Sequence, residues 1–322
     1  MQGTQHARLG LAVAVGASAA FSTSGALAKS LIDAGWSPAA AVTARVSIAA
    51  IVLAVPALIS LRGRWQSLRR SSGMVIGYGA LAVAGAQLCY FNALQHLPVG
   101  VALMLEYMGT VLVVLWMWIR HGHRPRRLTL WGSAASLTGL ALVLGVIGAG
   151  HLDVTGVAWA LGAAVGLAAF FVLASGESDL PPVALASTGM GVGALLLILI
   201  GAAGALPMHA TFNSVTLVGY RVSWLVPVAC LSLVAAVVAY LAGIIAARML
   251  GAKLASFVGL TEVICAVLIA WILLGQLPTA MQLAGGVLIV AGIALVRIDE
   301  LRAPSHPQRA VPAQQKELVA PR

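Results

Sequence analysis

Long apolar stretches of roughly 20 residues, separated by short polar or proline-containing connections, follow one another from residue 10 to residue 297. The hydrocarbon core of a bilayer is about 30 Å thick, so one spanning helix needs about 20 apolar residues. The pattern therefore predicts an all-α polytopic membrane protein with ten transmembrane helices. The predicted helices cover residues 10–28, 38–60, 73–95, 98–119, 128–148, 154–174, 181–201, 224–246, 253–273 and 280–297.

Composition strengthens this prediction, because hydrophobic residues make up 61% of the 322 positions and charged residues only 9%. A water-soluble domain could not cover such a chain with polar surface. The helices leave no room for a soluble catalytic domain. We expect a cytoplasmic N-terminus over residues 1–9, a first five-helix unit over 10–148, a second over 154–297, and a disordered, proline-rich cytoplasmic tail over 298–322.

The formal net charge of +10 follows from the predicted topology. Cytoplasmic loops of membrane proteins carry an excess of lysine and arginine. With the N-terminus in the cytoplasm, the 19 basic residues all fall on the inner side except Lys29, Arg221 and Arg45, and Arg45 lies within a span. We therefore predict a multi-pass protein of the inner (plasma) membrane with both termini cytoplasmic. The basic excess then requires no nucleic-acid partner.

The chain also contains an internal repeat. A shift of 153 residues aligns residues 93–143 with residues 246–296 without a gap. Chance would explain aliphatic identities in such an apolar chain, but it accounts poorly for tryptophan, glycine and proline recurring in one register. The identities include Leu97/Leu250, Ala102/Ala255, Trp118/Trp271, Ile119/Ile272, Gly122/Gly275, Pro125/Pro278, Gly132/Gly285 and Gly139/Gly292.

The repeat extends to the first helix, because a shift of 146 residues pairs Gly10 with Gly156 and Gly16 with Gly162. Arg8 and the stretch up to Ala28 also imitate a secretory signal peptide, but membership of the repeat favours a retained first helix. Each unit has five helices, and an odd number makes the second unit enter the membrane from the opposite side. We therefore predict inverted repeats, the architecture of alternating-access transporters with a substrate site near the midplane.

One segment resembles a known family. Residues 90–109, with Leu97-Pro98-Val99-Gly100 followed by Leu105-Glu106-Tyr107, are similar to the EamA-type drug/metabolite transporters, and closest to the bacterial threonine/homoserine exporters. The resemblance covers about residues 10–297. It implies a secondary transporter, and in particular an exporter of small metabolites such as amino acids or related compounds. Further matches are residues 25–31, Thr43-Ala44-Arg45, Thr261-Glu262 and Leu274-Gly275-Gln276.

The sequence departs from the family pattern at three of its motif positions. Val263 follows the glutamate of the ninth helix where the family often has proline, Gln276 replaces a glutamate, and Thr110 replaces a proline. These differences leave the particular substrate open.

Two acidic residues lie deep in predicted helices. Glu106 is a third to halfway along the fourth helix, and Glu262 is at a similar depth in the ninth. A charge at such a depth costs about 2.5–3.5 kcal/mol on insertion scales. The repeat places Glu262 at Gly109, which shares a helix face with Glu106 three residues away. Both carboxylates are therefore predicted to face one central cavity, where they bind a cation or ammonium group or carry a proton. The alternative is a structural acid that is hydrogen-bonded to a neighbouring helix.

Arg45 and four neutral polar residues complete the predicted substrate-binding or proton-coupling set. Arg45 could bind a substrate carboxylate, neutralise Glu106, or extend its guanidinium to the outer interface; its counterpart in the second repeat is Gly189. Gln87 and Tyr240 are repeat equivalents within apolar surroundings. Together with Tyr90 and Tyr107 they are predicted to line the same cavity, although each alone would also suit a packing position.

Other functions have less support in the sequence. A membrane-embedded enzyme would need a nucleophile or metal motif, and HExxH, GxSxG and GxGD are all absent; a channel or structural membrane protein is a further alternative. Cys89, Cys230 and Cys265 lie in apolar runs without metal-binding spacing, so we expect neither a metal nor a cofactor. The expected partners are a small-molecule substrate, protons as coupling ion and the lipid bilayer, and both a monomer and a homodimer stay open.

Overall fold

The computed structural model describes residues 2–97, 99–121, 127–143, 153–176, 178–217, 219–274 and 280–301. Most of them are helical. The α-helices are α1 (Gln2–Asp33), α2 (Pro38–Ser60), α3 (Trp65–Arg70), α4 (Ser72–Gly77), α5 (Ala86–His96), α6 (Val99–Tyr107), α7 (Gly109–His121), α8 (Arg127–Val143), α9 (Val154–Ser175), α10 (Pro182–Ala202), α11 (Leu225–Ser232), α12 (Ala239–Gly259), α13 (Thr261–Leu274) and α14 (Ala280–Leu301). Gln276 and the tail from residue 302 lie outside the described residues.

Within these residues, six helices are long and apolar enough to cross a membrane. They correspond to the first, second, third, sixth, seventh and eighth helices predicted from the sequence. The fourth, fifth and ninth predicted helices are represented by the shorter or interrupted elements α6 with α7, α8, and α12 with α13. The tenth is represented by α14, whose apolar part, Leu283–Val296, is shorter than a span. The total of ten spans therefore stays a prediction. The six spans are Arg8–Asp33, Pro38–Ser60, Ser72–His96, Val154–Ser175, Pro182–Ala202 and Leu225–Gly259.

The fourth and ninth predicted helices are broken in the middle. Met108 separates α6 from α7, and Leu260 separates α12 from α13. A second irregularity, at Gly251 with a φ of 77°, separates the eighth predicted helix from the ninth inside α12. Only glycine adopts such an angle without strain. The shift of 153 residues pairs Gly251 with Pro98, which lies outside the described residues.

Two π-helical segments interrupt the third and eighth predicted helices. They cover Tyr78–Gly85 and Leu233–Val238. The shift of 153 residues maps the first segment onto residues 231–238, so the two segments occupy equivalent places. A π-helix replaces the i→i+4 hydrogen bonds of the α-helix by i→i+5 bonds, and such segments are frequent at functional sites. Here they bring carbonyl groups of both units to the centre of the molecule.

Glycines of equivalent helices contact each other across the two units. A Cβ atom at Gly132 of α8 would lie 2.8 Å from the carbonyl oxygen of Gly292 in α14, and one at Gly139 would lie 2.5 Å from that of Gly285. Gly132 is the equivalent of Gly285, and Gly139 of Gly292. Because the earlier residue of α8 contacts the later residue of α14, the helices run antiparallel. Gly132 thus contacts the equivalent of Gly139, and Gly139 contacts the equivalent of Gly132. Such reciprocal contacts are typical of a two-fold axis.

The connection between α10 and α11 folds back over the turn between α1 and α2. The indole nitrogen of Trp36 donates a hydrogen bond to the carbonyl oxygen of Thr211 at 2.6 Å, and the Thr211 hydroxyl donates to Ala34 O at the same distance. The connection also contains an antiparallel hairpin of β1 (Val215–Leu217) and β2 (Tyr220–Val222). The prediction of an all-α chain is wrong for these strands, which lie between apolar stretches where hydropathy gives no helical period.

Candidate functional site

A cavity lies at the centre of the helices, between the two units. Its walls come from α1, the first π-helical segment, α5, α6, α9, α12 and α13. Six of the seven site residues predicted from the sequence line it. These six are Gln87, Tyr90, Glu106, Tyr107, Tyr240 and Glu262. Arg45 is the seventh, and it lies behind the wall, in contact with Gln87.

Glu106 lies in the last turn of α6, next to the break at Met108. It is 7% exposed, and among the described residues its carboxylate has no hydrogen-bond donor. Thr110, which replaces the family's proline, donates its hydroxyl proton to the carbonyl oxygen of Tyr107 at 2.9 Å. The break is therefore stabilised locally by Thr110, and the carboxylate of Glu106 is left to the cavity.

Glu262 lies in the first turn of α13 and is linked to the fourth predicted helix through Tyr107. The Tyr107 hydroxyl is 2.7 Å from a carboxylate oxygen of Glu262 and 2.7 Å from the carbonyl oxygen of Gly259. A phenol has one proton to donate. Both acceptors therefore depend on the same donor unless Glu262 is itself protonated. The two acids differ in this respect, since Glu106 has no comparable partner.

Arg45 is buried, with 1% of its surface exposed. Its guanidinium donates to Ser24 Oγ at 2.9 Å, to Gln87 Oε1 and to the carbonyl oxygen of Ala235 in the second π-helical segment. The ring of Phe91 lies 5.8 Å from its guanidinium carbon. The alternative in which Arg45 extends to the outer interface is therefore wrong. Its partners could not be read from the sequence because they come from three other helical elements, α1, α5 and the second π-helical segment.

The Gly189 position explains why the site is not symmetric. Gly189 is the counterpart of Arg45, and a Cβ atom there would lie 2.5 Å from Cδ1 of Tyr78. The aromatic ring of Tyr78 therefore occupies the space that a side chain would need in the second unit. The first unit has a guanidinium at this position, whereas Gly189 of the second unit lies against the neutral ring of Tyr78, which belongs to the first unit.

Sequence reasoning missed the phenylalanines of the wall and two serines. Phe21, Phe170 and Tyr240 pack edge to face, with ring centroids 5.1 to 6.2 Å apart. Ser18 and Ser24 line the cavity from the same helix as Phe21. Ser18, Phe21 and Ser24 follow one another at intervals of three residues. This spacing was a usable signal, because residues three and four apart share one face of a helix.

The cavity thus combines two carboxylates, neutral hydrogen-bonding groups and aromatic rings. Among its lining residues there is no lysine, arginine or histidine. Within the described residues no group of three or more histidine, cysteine, aspartate or glutamate side chains could hold a metal ion. The arrangement is suited to non-covalent binding of a small organic molecule.

Comparisons with known proteins agree with this architecture. The model of the EamA-like transporter family matches residues 8–145 and, a second time, residues 154–298. A solved chain described as "Crystal structure of protein" has a TM-score of 0.73 at 20% sequence identity, and the match covers 92% of this chain and 99% of that chain. At this identity the likeness shows a shared fold. A search among curated proteins finds no similar sequence.

Proposed function

Because the chain belongs to the EamA-like transporter family, whose members are drug and metabolite transporters, we propose that it exports small metabolites that carry an amino group, such as amino acids or related compounds. The central cavity is the binding site in this proposal, and alternating access exposes it to the two sides of the membrane in turn. The similarity of residues 90–109 to threonine/homoserine exporters supports both the substrate group and the direction of transport.

The proposal includes ten transmembrane helices in two inverted repeats. The antiparallel contact of α8 with α14 supports the inversion, because these helices are equivalent members of the two units. The cavity lies between the units, where inverted-repeat transporters bind their substrates. Both termini are placed in the cytoplasm and the protein in the inner membrane, as the distribution of basic residues favours.

One observation carries the proposal: both acids of the cavity wall lie beside helix breaks. Glu106 precedes the break at Met108, and Glu262 follows the break at Leu260. In transporters, irregular backbone at membrane depth is tolerated where it lines a cavity, and discontinuous helices form the binding site. The two carboxylates then recognise the amino group of the substrate.

We propose the proton as the coupling ion, held by Glu262. When Glu262 is ionised, Tyr107 must share one proton between Gly259 and the carboxylate. When Glu262 is protonated, it donates to the Tyr107 oxygen, and Tyr107 donates to Gly259. Each state is hydrogen-bonded, so protonation changes the charge of the cavity without disrupting this contact.

The direct test is counterflow of labelled substrate in proteoliposomes that contain the purified protein. A panel of amino acids and related amines is loaded inside, and the uptake of trace label is followed over time. A carrier gives transient accumulation of label above the external concentration, whereas a channel only equilibrates it. The absence of accumulation for every compound, with correctly folded protein in the vesicles, would contradict the proposed function.

The coupling is tested in the same vesicles with an imposed pH gradient. For the unmodified protein we expect the gradient to drive net substrate movement. In Glu262→Gln the side chain can no longer bind and release a proton, so exchange should continue while the gradient drives no net movement. Gradient-driven movement that is unchanged in Glu262→Gln would exclude Glu262 as the proton site.

A further inference from the structure

We infer that the cavity selects organic cations, in particular primary amines with an apolar body and no free carboxylate, over zwitterionic amino acids. The inference rests on the proposed transport through this cavity. It narrows the proposed substrates, because it ranks amines above the amino acids named there. It follows from four features of the cavity wall: its free acceptors, the position of Arg45, its aromatic rings and its charge.

The wall contains unpartnered oxygen atoms that suit an ammonium group. The carboxylate of Glu106 has no hydrogen-bond donor among the described residues, and the hydroxyl of Tyr90 is buried without a partner. Glu262 has one oxygen bonded to Tyr107 and a second oxygen to offer. An alkylammonium group has three N–H donors and no acceptor. Its three donors can therefore satisfy acceptors that the protein itself leaves unpaired.

Among the described residues of the cavity wall, a substrate carboxylate would find no cationic partner. Arg45 lies behind this wall, and its hydrogen bonds go to Ser24, Gln87 and Ala235. Ser24 and Gln87 line the cavity and Arg45 does not, so these two side chains separate it from the substrate. The carboxylate of an amino acid would instead face Glu106 and Glu262. A buried charge without a partner is strongly disfavoured.

The aromatic rings of the cavity wall can bind the apolar part of an amine. Phe21, Phe170 and Tyr240 form a packed group on the cavity wall, with centroids 5.1 to 6.2 Å apart. Aromatic faces attract both apolar groups and organic cations. An amine with an aromatic or aliphatic body can thus place its charge at the acids and its apolar part against these rings.

The charge balance points in the same direction. With both carboxylates ionised, Arg45 compensates one of the two negative charges. A monocationic amine neutralises the remaining charge, whereas a zwitterion adds no net charge and leaves it uncompensated. The structure therefore favours the amine whenever the two compounds differ only by the carboxylate.

The test compares three compounds that share one body: phenethylamine, phenylalaninamide and phenylalanine. Phenylalaninamide has the size of the amino acid without its negative charge, which separates the effect of charge from that of volume. Binding to the purified full-length chain is measured by calorimetry, and transport by counterflow. We expect phenethylamine and phenylalaninamide to bind at least about tenfold more tightly than phenylalanine.

Variants show whether binding occurs in this cavity. Tyr90→Phe should weaken amine binding severalfold, while the protein stays folded because the hydroxyl has no hydrogen-bond partner in the described part of the chain. Glu106→Gln should abolish measurable binding. Asp33→Asn is the matched control, since it neutralises an exposed carboxylate that pairs with Lys29 outside the cavity, and its binding should equal that of the unmodified protein.

Each outcome decides a different point. Phenylalanine binding as tightly as the two cationic compounds, or more tightly, would overturn the inference, and so would a failure of both cations to bind. If phenylalanine is preferred and shows counterflow, the transporter proposal stands and only the substrate class is wrong. If the amines bind without counterflow, the cation class is supported and the transport proposal fails.

Discussion

Tyr240 donates its hydroxyl proton to the carbonyl oxygen of Ala82 over 3.2 Å, and the two residues belong to different repeats. The equivalent of Ala82 in the second repeat is Ala235, and its carbonyl oxygen accepts a hydrogen bond from Arg45 of the first repeat. Both carbonyl groups belong to the π-helical segments. Each segment is therefore bound by a side chain from the opposite repeat, directly beside the cavity.

The Tyr240–Ala82 bond leads to a prediction about stability. Tyr240→Phe removes the donor and leaves a buried carbonyl oxygen with one acceptor bond fewer, so we expect a loss of about 1 kcal/mol in the free energy of unfolding. Chemical unfolding of the detergent-purified protein measures this loss. Tyr90→Phe is the matched control, because the Tyr90 hydroxyl has no partner among the residues that the structure describes, and its removal should leave stability unchanged. Equal stability of the two variants would show that the bond contributes nothing.

A second prediction concerns the space beside Tyr78. In Gly189→Ala the new Cβ atom would lie 2.5 Å from Cδ1 of a fully buried ring. The ring cannot move freely in a packed interior, so we expect a destabilisation of about 1–3 kcal/mol. Gly191→Ala, in the same helix, has nothing within 4 Å of its Cβ position. The control should be as stable as the unmodified protein, and thermal unfolding of both variants compares them. A fully stable Gly189→Ala would mean that Tyr78 can be displaced at little cost.

The comparison of sequence and structure shows which features hydropathy can predict. Glu106, Glu262 and Gln87 were found because a polar side chain deep in an apolar helix is expensive, and its position alone indicates a cavity. The prediction that Gln87 and Tyr240 line one cavity came from their equivalence in the repeat, and both residues lie on its wall. These predictions used only the positions of polar residues along the chain and the internal repeat, and both constrain the fold directly.

Other features depended on contacts between distant segments. The π-helical segments at Tyr78–Gly85 and Leu233–Val238 have the same apolar composition as α-helices, so no hydropathy pattern marks them. The partners of Arg45 are spread over residues 24 to 235. The sequence alone could not decide whether Arg45 binds the substrate, neutralises Glu106 or extends to the interface, because that depends on how the helices pack. Phe21 and Phe170 looked like ordinary apolar residues until the fold placed them on the cavity wall.

The third prediction is the topology. Reporter fusions after Arg322 and in the loop Arg124–Arg127 should both give a cytoplasmic signal, because the basic residues concentrate on that side. A fusion in the β1–β2 hairpin should give the opposite signal, since an odd number of predicted spans separates it from each of the other two sites. A periplasmic signal from either of the first two sites would contradict this topology.

The last prediction is that transport depends on the charge of Glu106. This residue is buried at the end of α6, beside a helix break, and its carboxylate has no donor among the described residues. Glu106→Gln preserves shape and hydrogen bonding but removes the charge, so the variant should reach the membrane normally and lose most counterflow. Glu106→Asp keeps the charge on a shorter side chain and should retain part of the activity. Asp33→Asn neutralises an exposed carboxylate at the end of α1, and this control should transport like the unmodified protein.

If Glu106 has only a structural role, the order of the two variants is reversed, and Gln is tolerated better than Asp because its hydrogen bonds survive. Unmodified transport rates in a normally expressed Glu106→Gln protein would therefore assign Glu106 to the structure of the helix break and remove it from substrate binding.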